Sequence, residues 1–124
     1  MKFFRVINSF IPALVGLRFL VKNENNFKFH ILAFGLIICC GFFLGINRFE
    51  WLFLVLSAGM VFVAEGINTA IEKTADEIDL KRNPHIKRIK DISSAAVLLA
   101  ALFSVLVGTI IFFPYLMKLF CDTL

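Results

Sequence analysis

Side chains suited to metal or redox chemistry are scarce in this chain: three cysteines and two histidines in 124 residues. Cys39 and Cys40 are adjacent within an apolar run and point to different faces, Cys121 sits at the tail, and no Cys-x-x-Cys occurs. His30 and His85 are far apart in sequence, so a zinc site is not expected. No Gly-x-x-x-x-Gly-Lys-Ser/Thr loop is present, which excludes a P-loop nucleotide site. There is no inverted repeat of the transporter kind and no low-complexity tract. No small-residue cleavage site follows a short apolar core, so a signal peptide is not expected.

What fills the chain is apolar. Sixty per cent of the residues are hydrophobic, with sixteen Phe against one Tyr and one Trp. The mean hydropathy of +0.88 lies outside the range of a soluble domain of this size, so this is a membrane protein of a single domain, 1–124. Three segments approach the roughly 20 apolar residues that a bilayer requires. They are 29–46, 51–71 (interrupted by Glu65 and Asn68) and 92–117, the last without any charge. Segment 1–28 differs: basic and aromatic residues alternate, and Pro12 is expected to break any single long helix. It reads as an interfacial amphipathic segment. The expected fold is all-α and integral to the membrane, an N-terminal interfacial helix followed by three transmembrane helices.

Lys and Arg set the orientation. Lys2, Arg5, Arg18, Lys22 and Lys28 precede the first span, and Lys73, Lys81, Arg82, Lys87, Arg88 and Lys90 lie between the second and third. Opposite them are only Arg48, in a tight turn at 47–50, and Lys118. The N-terminus and the long loop should face the cytoplasm. The pI near 9.2 is therefore a topology signal that needs no nucleic-acid partner.

Glu65 directly follows the uncharged run 51–64. At about 100° per residue, Asn68, Thr69, Glu72 and Asp76 fall within roughly 60° of it on one helical stripe. Such a stripe must face protein, a wet cavity or the interface. Glu65 and Glu72 are separated by about 10 Å along the axis, too far to chelate one ion from their own helix alone. Glu72, nearer the cytoplasm, suits a metal or nucleotide; the deeper Glu65 suits a lipid headgroup and proton acceptance. The plainer alternative is that these residues hold helices together by hydrogen bonds. Two further clusters have plain readings of their own. Asp91 can cap the third helix with Lys90 at the membrane edge. Residues 23–30 can form a polar hinge with His30 as an interfacial histidine.

Together the clusters resemble the prokaryotic diacylglycerol kinase family, which includes undecaprenol kinases. The carrying residues are Glu65-Gly66-Ile67-Asn68-Thr69-Ala70-Ile71-Glu72 with Asp76, then Lys90-Asp91-Ile92-Ser93-Ser94-Ala95-Ala96-Val97, and earlier Gly16-Leu17-Arg18 with Asn23-Glu24-x-Asn26-Phe27-x-x-His30. They follow the family order over nearly the whole chain. The resemblance implies an ATP-dependent lipid kinase of the bacterial inner membrane, a homotrimer with active sites at subunit boundaries. It implies Glu65 as general base towards the lipid hydroxyl, and Asn68 as the amide that orients the base or the γ-phosphate. It implies Glu24 and Glu72 as carboxylates for Mg2+ on the nucleotide phosphates. Lys90 and Asp91 match residues around the nucleotide, Arg5 a nucleotide-contacting cation, and Ser94 the lipid-facing position. Departures are Gly66, where a branched aliphatic is usual and a looser helix is expected, and the basic stretch 79–85, expected over the nucleotide. The acceptor stays open between diacylglycerol and undecaprenol, the form of residues 23–30 leaning to the latter. The competing readings are a non-enzymatic membrane scaffold or transporter subunit and an inactive relative. The complete set of site residues argues against the inactive relative.

Overall fold

The computed structural model describes residues 1–79 and 83–124; Lys81 and Arg82, and with them the basic centre of the 79–85 loop, lie outside the described residues. Among the described residues four helices follow in order: α1 Lys2–Asn23, α2 Asn25–Leu44, α3 Arg48–Ile78 and α4 Pro84–Thr123. Among the described residues there is no strand. All four helices are long and apolar enough to cross a membrane, α1 included.

The boundaries follow from caps. Glu24 is extended (φ −99°, ψ 110°) and separates α1 from α2 as a one-residue joint. Gly45 ends α2 in the left-handed region (φ 65°), which a side-chain-bearing residue rarely adopts. Asn47 and Glu50 then form a reciprocal capping box that starts α3: each side chain accepts the other's backbone N–H at 3.0 Å. The expected turn at 47–50 is therefore the first turn of a helix, and the chain reverses at Gly45 and Ile46 instead. Asn83 accepts the His85 N–H at 2.9 Å and Pro84 occupies the first turn of α4.

Two further expectations are corrected by the helix bounds. Pro12 does not break α1: it forfeits one backbone bond, to Asn8, and the helix continues on both sides. Asp91 is not a cap but an interior residue of α4, paired with Lys87 at 2.6 Å. α3 runs unbroken through Gly66, where a Cβ would meet Leu20 Cδ1 at 3.5 Å, an ordinary contact. Helices also outrun the apolar segments. α3 extends to Ile78 rather than 71, and α4 begins at Pro84 rather than 92, because hydropathy marks where lipid ends and caps mark where the helix ends.

α3 is the centre of the packing. It lies antiparallel against α4 and meets α2 through Phe62, whose ring sits 5.3 Å from Phe27 and 5.8 Å from Phe34. Near the α2–α3 reversal, Trp51 covers Gly41 so closely that a Cβ at 41 would lie 2.6 Å from the indole. The buried set holds six apolar side chains but also four polar ones, Glu65, Asn68, Thr69 and Ser93, while most Phe, Leu and Ile face outward. This inversion suits a chain whose surroundings are hydrocarbon.

Candidate functional site

The polar stripe of α3 is turned inward. Glu65 is 2 % exposed, and Asn68 and Thr69 are 5 % exposed each. Helical periodicity aligns them, and the Glu24 joint folds α2 back so that Asn26, His30 and Glu24 act on Glu65 together with Glu72. Asn68 Nδ2 donates to Glu72 Oε1 at 3.5 Å, one turn along the helix. Glu24 is held by Lys73 Nζ at 3.6 Å, and Lys73 also lies 4.8 Å above the Phe19 ring of α1. Glu24, Glu65, Asn68 and Glu72 are thus brought into one cluster by two chain segments distant in sequence.

Just beyond the cluster, Lys90 Nζ of α4 donates to Asp76 Oδ1 at 2.8 Å. The Asp76 hydrogen bond holds the Lys90 ammonium above the usual lysine range, desolvation opposing it. A cavity of about 490 Å³ opens beside this pair, bordered by Asp79, Asn83, Lys87 and Asp91. Asp91 reaches it from the exposed side of α4.

Two expected residues stand apart. Arg5 is exposed near the start of α1 and, by residue count, about 28 Å along that helix from Glu24. Ser94 is exposed, whereas its neighbour Ser93 is 6 % exposed and lines an apolar groove between α3 and α4. The groove has a volume of about 640 Å³, and among the described residues Asn68 and Ser93 are its only polar lining ones. Sequence reasoning missed Ser93, the Asp76–Lys90 tie and the Lys73 partner of Glu24. Of these only the tie had a legible signal, Asp76 being on the stripe.

Among the described residues no three His, Cys, Asp or Glu side chains converge as a metal cage. Two carboxylates, Glu24 and Glu72, near the same buried acid fit a magnesium ion that carries phosphates and water as its other ligands. They do not fit a resident ion held by protein alone. Chemically the arrangement offers a buried carboxylate with Glu24 and Glu72 acting on it, one helical turn from Asn68, which lines the apolar groove.

Comparison with known proteins finds relatives over most of the chain. The family model described as Prokaryotic diacylglycerol kinase matches residues 12–112. An undecaprenol kinase of Bacillus subtilis is 38 % identical over 112 residues, covering 90 % of this chain and 91 % of the relative. A diacylglycerol kinase of Haemophilus influenzae is 33 % identical over 109 residues, covering 87 % and 92 %. One of Pseudomonas aeruginosa is 30 % identical over 92 residues, covering 74 % and 75 %. This chain belongs to the prokaryotic diacylglycerol kinase family.

Proposed function

We propose that this protein transfers the γ-phosphoryl group of ATP to the hydroxyl of a membrane lipid alcohol, diacylglycerol or undecaprenol. The observation that carries the reading is the burial of Glu65 beside Asn68, with Glu24 and Glu72 on its charged side and an apolar groove next to Asn68. Glu65 takes the proton of the lipid hydroxyl, which is a poor nucleophile until that proton is shared. Asn68, braced by Glu72, orients the reacting groups. Magnesium, when held through Glu24 and Glu72 on the nucleotide phosphates, screens their charge. Lys90 and Asp91 face the polar cavity and bind the nucleotide there. Ser94 meets lipid from the outer side of α4, and Arg5 meets nucleotide only through another subunit or a displaced α1.

The same reading places the protein in the bacterial inner membrane with its N-terminus and charged site in the cytoplasm, where eleven of its thirteen cationic residues gather. α1, exposed and carrying Lys2, Arg5, Arg18 and Lys22, lies along the interface. The open, half-built site and the outward apolar faces favour a homotrimer with sites completed between subunits. A scaffold role without chemistry is not what the named relatives have in common.

The deciding experiment is phosphate transfer from radiolabelled ATP by the purified protein, with diacylglycerol and undecaprenol supplied separately in micelles. Labelled lipid in at least one arm is expected. Absence of label from both would overturn the reading.

A further inference from the structure

The groove between α3 and α4 contains an unsolved hydrogen-bond problem. Asn68 Oδ1 and Ser93 Oγ are both buried, and neither has a partner. Both residues are at least nine-tenths buried, and among the described residues every other side chain around the groove is apolar. Native structures rarely leave such atoms alone. One is an acceptor and the other can donate, so a single hydroxyl satisfies both: it accepts the Ser93 hydroxyl proton and donates its own to Asn68 Oδ1.

We infer that Ser93 is a positioning residue for the acceptor hydroxyl, seating it against Asn68 while the lipid chain lies along the apolar wall. The inference rests on the lipid-kinase reading. Glu65 is three residues from Asn68 on α3, so side chains at these positions are neighbours. Rotation about the lipid C–O bond then exchanges Asn68 for Glu65 as proton acceptor, while the Ser93 bond keeps the oxygen in place. Hydroxyl recognition of this kind serves a glycerolipid and a polyprenol alike, since both end in the same primary alcohol.

The test compares wild type with Ser93→Ala, using diacylglycerol and undecaprenol and, for each, the same lipid with hydrogen in place of the hydroxyl as a competitive inhibitor. Alanine favours the helix and removes one orphaned atom, so thermal stability should equal or exceed that of wild type. KM for the alcohol should rise roughly three- to tenfold, the worth of one hydrogen bond. The inhibition constant of the deoxy lipid and KM for ATP should not move. Equal weakening of alcohol and deoxy lipid would overturn the inference, since Ser93 would then act through packing, an ester carbonyl or a second copy covering the groove. So would an unchanged alcohol KM. Wild type that phosphorylates neither lipid sinks the lipid-kinase reading itself; active wild type with an indistinguishable Ser93→Ala sinks only the role of Ser93.

Discussion

Tyr115 donates its phenolic hydroxyl to Glu50 Oε2 at 2.6 Å, and that oxygen also accepts the Asn47 N–H that begins α3. At the opposite end of the same helix pair, Lys90 grips Asp76. From one pin to the other the chain advances 26 residues on α3 and retreats 25 on α4, so both bonds belong to one antiparallel register. That separation is about 38 Å along either helix, close to the roughly 40–45 Å of a bilayer with its headgroups. The two polar pins thus sit near opposite ends of the helix pair, and the polar stripe lies between them nearer the Lys90 end.

The Glu50 pin should matter for stability and not for chemistry. Tyr115→Phe deletes one bond to a half-buried carboxylate while keeping the ring, and should lower stability. Glu65 lies about 22 Å away along α3, so turnover per folded molecule should be unchanged. Denaturation in detergent beside a lipid-phosphorylation assay checks both. Lost turnover at full stability would contradict this division.

Glu65→Gln keeps size and hydrogen bonding but removes the proton acceptor. Turnover should fall by at least about a hundredfold, the usual lower worth of a positioned general base. The helical fold and ATP binding should survive, because glutamine in this half-polar pocket is isosteric. Near-normal turnover in vesicles would remove Glu65 as base.

The stripe itself was legible because it repeats at helical spacing within an apolar run, and burial of Glu65, Asn68 and Thr69 followed the same face. The start of α4 is also written, in Asn83-Pro84, eight residues ahead of the apolar run 92–117. Ser93 and Ser94 were not separable from sequence. Adjacent helical positions differ by about 100°, and which one faces α3 depends on a register fixed by distant pins. The pairing of Glu50 with Tyr115 spans 65 residues and left no local trace. Pro12 was overweighted, since one missing bond costs less than ending a long apolar helix.

The Lys90–Asp76 pair gives a pH prediction with a definite sign. Its folded-state pKa is raised above the ordinary 10.5 by the Asp76 bond. A raised lysine contributes fully below its unfolded value and loses that contribution as pH rises through the folded one. The stability difference between wild type and Lys90→Met should therefore stay level from neutral pH to about 10.5 and shrink only above it. A difference that vanishes on the neutral side would mean that the pair does not hold the helix ends together.

On the reading that Glu24 holds the nucleotide's divalent ion, Lys73 is its competitor. Its ammonium stands 3.6 Å from the carboxylate and is kept there partly by the Phe19 face, so an arriving divalent ion must displace it or share the oxygen. The pair is largely exposed on the lysine side, which limits its worth to the surface range. Lys73→Met should therefore tighten divalent binding by roughly two- to fivefold, from at most about 1 kcal/mol of released competition. Titration with manganese in the presence of ATP, followed by the loss of the free-ion spin signal, reads this without any turnover. The contrary result, weaker binding in Lys73→Met, would mean that the ammonium contacts the phosphates instead and supports the nucleotide once it leaves Glu24. Either direction is distinguishable from a packing defect, because Lys73→Arg keeps the charge and should resemble wild type only if charge is what Glu24 responds to.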